Sequence, residues 1–145
     1  MDYQPDKNEV VSFTGTRDGM TPEQIEVFGI LLYELKPFWF VHGDCVGADA
    51  EAHAVAMSLG VDVIKRPANL KHSRAFCKGG RVVAPPEPPL NRNKKIVNDG
   101  GHLVACPSGY EEKLRSGTWS TVRYARKIGK PLTIIWPDGT LDGEA

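Results

Sequence analysis

The chain has 145 residues, with 18 Lys and Arg balanced by 18 Asp and Glu. That length suits one domain with a real core, and zero net charge argues against nonspecific nucleic-acid binding, which needs cations to neutralise phosphates. Cys45, Cys77 and Cys106 are odd in number and widely spaced, no apolar run approaches the ~20 residues of a membrane span, and the acidic, polar start is unlike a signal peptide; together these predict a cytoplasmic protein with free thiols and no membrane partner.

Val10 to Phe13 is a short apolar run that ends at Thr14-Gly15, as a buried strand would. Thr21-Pro22-Glu23-Gln24 carries the signals of a helix start: Thr21 as N-cap, Pro22 at the first helical position, and Gln24 closing a capping box. Ile25, Phe28, Leu31, Leu32 and Leu35 follow at helical spacing until Pro37. Phe38 to Val41 predicts a second strand, Ala48 to Leu59 a helix stopped by Gly60, and Val61 to Ile64 a third strand. Prolines and glycines between 66 and 90 rule out a long regular element, so this stretch reads as a lid (around Phe76 and Arg81) or a plain connection, with room for an extra edge strand. Leu90 to Asn98 predicts a helix, His102 to Cys106 a strand, Thr118 to Ile128 a helix capped by Gly129, and Leu132 to Trp136 a last strand. Residues 137–145 read as a turn and a frayed tail.

Strands that are nearly all apolar and alternate with helices predict an α/β domain: a mostly parallel sheet of about five strands, covered on both faces. The domain core runs from about 9 to 136. Ligands of such sheets bind beyond the carboxyl ends of the strands, where three glycine-rich turns fall. Gly15-Thr16-Arg17 offers a close backbone approach, hydroxyls and a guanidinium fork. Gly43-Asp44 and Gly47-Ala48-Asp49 flank a helix start, with Asp44 the candidate for a ribose or catalytic role. Ser116-Gly117-Thr118 opens a helix whose free N–H groups attract phosphate, with Thr118 as its cap and Ser120 and Thr121 as further hydroxyl donors. Trp119 and Trp136 read as core or interface residues, or as a base-stacking surface. His42, Cys45 and His53 lack a fourth metal ligand, so no metal and no cofactor is expected.

Four segments, Phe13 to Arg17, His42 to Asp49, Arg92 to Val97 and Ser116 to Thr121, resemble in order and spacing the SLOG superfamily of Rossmann-like proteins, above all its small YspA-like branch of bacteria and phages. The resemblance implies a Rossmann-like three-layer sandwich, a nucleotide or nucleotide-derived ligand, and a homo-oligomer. It adds Arg92, as a candidate catalytic arginine, and Asn93 to the site. The superfamily's phosphoribohydrolases carry Pro-Gly-Gly-x-Gly-Thr-x-x-Glu, with catalytic Arg and Glu. Here Leu114-Arg115-Ser116 precede Gly117-Thr118, and Thr121 stands at the Glu position. The leading expectation is therefore a sensor or sequestering module. The alternatives are an N-glycosidase or phosphoribohydrolase whose base is Asp44, Asp49, Glu111 or Glu112, and a single-stranded nucleic-acid module like the superfamily's DNA-processing members.

Overall fold

A computed structural model describes residues 6–144. In chain order the elements are β1 (Val10–Gly15), α1 (Pro22–Leu35), β2 (Trp39–His42), α2 (Ala48–Ser58), β3 (Asp62–Lys65), β4 (Val82–Val83), α3 (Pro89–Asp99), β5 (His102–Cys106), α4 (Gly117–Lys127), β6 (Leu132–Ile135) and β7 (Leu141–Glu144). One sheet joins all the strands in the order β4-β3-β2-β1-β5-β6-β7, parallel except for the β6–β7 pair.

Alternation along the strands sends side chains to two apolar layers. Val11, Phe13, Phe40, Val63, Val104 and Cys106 pack with α1 and α2 through Phe28, Leu32 and the alanines 48, 52 and 56. Leu103, Ala105, Leu132 and Ile134 face α3 and α4 through Val97, Trp119, Val122 and Ala125. The result is the expected three-layer α/β sandwich. Chain winding reverses at β1: β2 and β3 lie to one side, β5 and β6 to the other. A crevice opens at the carboxyl ends of strands at such a reversal.

The capping box at the start of α1 forms as the sequence requires, with Thr21 and Gln24 exchanging side chain-to-backbone bonds. Gln24 does more than cap. It is buried, and its Nε2 donates to the carbonyls of Pro107 and Ile135, both at 2.9 Å. This one amide ties α1 to the ends of β5 and β6. Gln24→Ala is expected to cost about 2–4 kcal/mol, since it strands two buried carbonyls; the shift in urea midpoint at constant m-value measures it.

Two strands exceed the predicted five. β4 is a two-residue edge strand inside the long loop. β7 corrects the expectation of a frayed tail. Apart from Leu141 its residues are acidic or glycine, so no apolar alternation marks them. They are held instead by a turn in which the Gly139 N–H donates to the Trp136 carbonyl and the Trp136 N–H to that of Thr140. Glu144 then pairs in a fork with Arg126 of α4. A further correction concerns α4, whose N-cap is Ser116: its hydroxyl accepts from the Trp119 N–H at 3.2 Å, and Thr118 sits inside the first turn.

Candidate functional site

A cleft of about 410 Å³ lies at the carboxyl ends of β1, β2 and β5, within the range of small-ligand sites. Its walls bring together Gly15, Thr16 and Arg17 after β1, Gly43 and Asp49 around the start of α2, Arg92 and Asn93 of α3, and Ser116, Gly117 and Thr118 at the start of α4. These segments span most of the chain and meet in one place, as the glycine turns require.

Arg92 is the central side chain. It is 8% exposed and makes no salt bridge among the described residues. Its Nε donates to Asn93 Oδ1 at 2.8 Å, and its Nη1 donates to the carbonyls of Gly43 at 2.8 Å and Arg66 at 3.3 Å. Nη2 has no acceptor among the described residues. A buried cation with an open donor edge is costly unless something else supplies the acceptor. Across the cleft, the Gly117 and Thr118 N–H groups at the start of α4 precede the first intrahelical donor, Ser120, and add the positive end of the helix dipole.

The glycines serve the fold as much as a ligand. A Cβ on Gly15 would sit 2.5 Å from that of Ala48, so this residue lets α2 approach β1. A Cβ on Gly43 would lie 2.5 Å from Arg92 Nη1; its absence makes room for the guanidinium. Gly47 is the N-cap of α2 with φ +87°, and a side chain there would strike the Arg17 carbonyl, so it lies behind the cleft wall.

Asp49 faces the cleft with 6% exposure. Its Oδ2 accepts from the N–H groups of Gly43 at 3.0 Å and Cys45 at 3.2 Å. Burial pushes its pKa up to about 6, against the pull of Arg92 and these N–H groups. Desolvation also raises the Cys45 thiol to about 11 and Cys77 to about 12.

Asp44 does not reach the cleft, contrary to the sequence expectation. With φ +54° its backbone is left-handed, which Asp tolerates better than most residues. Its fully buried carboxylate turns toward the long loop, accepting from Arg74 Nε and the Cys77 N–H, both at 2.9 Å. Burial alone would raise its pKa, but these two partners outweigh that and hold it below the usual carboxylate range. The 66–90 loop is thereby strapped to the β2–α2 turn, and none of its residues lines the cleft in this structure. Phe76 packs under Arg74 at 4.4 Å, and exposed Arg81 pairs with Asp62. Asp44→Ala is expected to destabilise the protein by about 2–4 kcal/mol by leaving Arg74 and the Cys77 N–H unpaired; faster amide exchange confined to residues 73–80 would mark the released strap.

Thr121 also lies outside the cleft: its buried hydroxyl donates back to the Gly117 carbonyl at 2.9 Å. Trp119 is in the core under α4, and Trp136 stacks on Tyr110 at 5.9 Å, so neither indole lines the cleft. Glu112 pairs with Arg123 and Arg126, and neither it nor Glu111 is among the cleft residues. Lys113, Arg115, Ser108 and Asp18 join the cleft unpredicted. Two cations just upstream of a helix that opens Ser-Gly-Thr were the available signal for Lys113 and Arg115.

The metal question moves from Cys45 to Cys77, since ligand atoms of His42, His53 and Cys77 lie within 4.8 Å of one another. Hydrogen bonding decides it. The Asp44 N–H donates to His42 Nδ1 at 2.9 Å, so His42 Nε2 carries its proton and donates to His53 Nδ1 at 2.9 Å. His53 Nε2 then donates to the Lys78 carbonyl at 2.8 Å. A metal on His42 Nε2 would require that ring to give up its last proton, so the donor set does not fit one. The relay is structural, and it holds His42 neutral: burial, aided by His53, lowers its pKa to about 3.

No helix among the described residues is long and apolar enough to cross a membrane. No family model and no curated protein matches the chain. Solved structures do. A molybdenum cofactor binding protein from the phototrophic bacterium Rippkaea orientalis superposes with TM-score 0.67 and 20% identity, over 88% of this chain and 76% of that one. DNA processing protein A from Streptococcus pneumoniae gives 0.62 and 20%, over 86% and 49% of the two chains. The Helicobacter pylori protein, described for its single-stranded DNA binding mode, gives 0.57 and 18%, over 86% and 64%. The chain thus spans about half to two thirds of the DNA processing proteins it resembles. At these identities the likeness is one of architecture: this chain shares the Rossmann-like α/β fold of its structural neighbours.

Proposed function

We propose that the chain binds a nucleotide or nucleotide-derived phosphorylated ligand in the cleft, as a sensor or sequestering module. The observation that carries this is Arg92: a buried guanidinium, in no salt bridge among the described residues, lining a cleft that the start of α4 also lines. The exposed cations Arg17, Lys113 and Arg115 add to the attraction for an anion. The neighbour that binds the molybdenum cofactor supports a small-molecule ligand. Thr121, turned back on its own helix where the resemblance would put the catalytic Glu, and Asp44, committed to Arg74, support a role without catalysis. Calorimetric titration with a panel of nucleoside monophosphates is the test. Saturable heat supports the reading; none from any member, with a folded protein, sinks it.

Two other readings keep a specific observation each. Asp49 is a cleft carboxylate with a raised pKa, so release of free base from nucleoside monophosphates would make the protein a phosphoribohydrolase with Asp49 as its acid or base. The rim cations and the DNA-binding neighbours favour single-stranded nucleic acid, which a gel shift with a steep salt dependence would reveal. Membership of the YspA-like branch, a cytoplasmic location and self-association complete the proposal. Ile30, Tyr33 and Phe38 are all more than half exposed and offer apolar surface for a second copy; sedimentation velocity checks this.

A further inference from the structure

The cleft has two unlike ends. At the start of α4 the charges are cationic and the helix dipole agrees with them, which suits a dianion. At the deep end Arg92 and Asp49 stand together. A Cβ on Gly43 would lie 2.5 Å from Arg92 Nη1 and 3.0 Å from Asp49 Oδ2, yet the two side chains form no salt bridge. Each offsets the other's field, so this end does not draw a second anion. It presents an acceptor beside a donor. The carboxylate has about four lone-pair sites, and two backbone N–H groups fill only part of them, with the weakly donating Cys45 thiol alongside. Arg92 Nη2 brings two N–H donors that have no acceptor among the described residues. A neutral group that satisfies both must donate and accept from neighbouring atoms, and adjacent hydroxyls do so.

We infer that Asp49 and Arg92 read the vicinal hydroxyls of a pentose 5-phosphate, with Asp49 the residue that selects ribose over deoxyribose. This rests on the phosphate-binding reading above and moves the sugar-recognising role from Asp44 to Asp49. Phosphate held at the α4 end points the sugar inward, toward the only buried carboxylate among the cleft residues.

Calorimetric titration of the full chain with ribose 5-phosphate, 2-deoxyribose 5-phosphate and inorganic phosphate tests it. The ribose compound is expected to bind about tenfold tighter than the deoxy compound, the worth of a hydrogen bond to a charged group. Asp49→Asn is expected to shrink that ratio to about two; the lost negative charge changes the affinity for both sugar phosphates alike and cancels in the ratio. Equal affinity for the two sugars on the unaltered protein overturns the inference and leaves phosphate binding standing. A preference undiminished in a folded Asp49→Asn protein also overturns it. Failure of all three compounds to bind removes the phosphate reading, and this inference with it. The sugar comparison needs no variant, so it is decisive even if Asp49→Asn does not fold.

Discussion

Arg92→Met is expected to weaken binding of a nucleoside monophosphate by at least about thirtyfold, the scale of a buried charged anchor. Two effects combine. The ligand loses the open Nη2 edge, and the cleft loses its one buried cation, leaving the Asp49 carboxylate to repel an incoming anion. Stability should fall by about 2 kcal/mol, because the Gly43 and Arg66 carbonyls lose the donor they share. Arg92→Lys separates charge from geometry. It restores a cation without the planar fork, so its affinity should fall between those of the wild type and Arg92→Met. Arg115→Ala makes a useful contrast. Exposed on the rim, it should cost only a few-fold, an effect that fades with added salt. Wild-type affinity in a folded Arg92→Met protein would remove the guanidinium from the site.

The second large effect is an acid response in which two buried groups oppose each other. His42 is neutral in the fold, with a pKa near 3, against about 6.5 in an unfolded chain. Between these values the unfolded state binds a proton that the folded state refuses. Stability therefore falls as pH drops from 6.5, by up to about 1.4 kcal/mol per unit. His102, lowered by burial, has the same sign. Asp49 has the opposite sign. Its folded pKa of about 6 exceeds its unfolded value of 3.8, so in that window the folded state takes up the proton first and gains stability on acidification. The wild type should thus decline only gently from pH 6 to 4, because Asp49 offsets His42 and only the His102 loss is left unbalanced. Below 4 the gain from Asp49 is exhausted, the depressed Asp44 begins to cost stability, and unfolding should be steep. Asp49→Asn removes the offsetting carboxyl, so its urea midpoint should decline from pH 6.5 onward. Parallel pH profiles for the two proteins would show that these groups do not titrate as described.

Much of this architecture is local and could be read from the chain. Thr21 and Gln24 announce a helix by a hydrogen-bonding pattern three residues long, and the apolar runs of β1, β2 and β5 need no tertiary information. Ser116 could be misread as a loop residue because Thr118, two positions later, offers the same hydroxyl; only the direction of the chain entering α4 makes Ser116 the cap. β7 was invisible because its pairing comes from the turn at 137–140 and from Glu144 reaching Arg126, not from hydrophobic alternation. The choice between Asp44 and Asp49 was beyond sequence reasoning for a similar reason. Asp44 directly follows Gly43, and Asp49 lies two residues after Gly47, both near the start of α2. What separates them is the left-handed backbone at Asp44, which swings its carboxylate to Arg74, a residue 30 positions away in the chain. Arg92 was reached by resemblance; nothing in its local sequence says that its guanidinium is buried.

The fit of Arg92 against Gly43 couples two positions 49 residues apart. Any larger residue at 43 evicts the guanidinium, whereas shortening 92 opens space that a methyl at 43 can fill. Mutational drift at either locus is therefore conditional on the other. A library that randomises both together should recover folded combinations that single-site scanning never samples, and descendants that have changed ligand should carry paired replacements here.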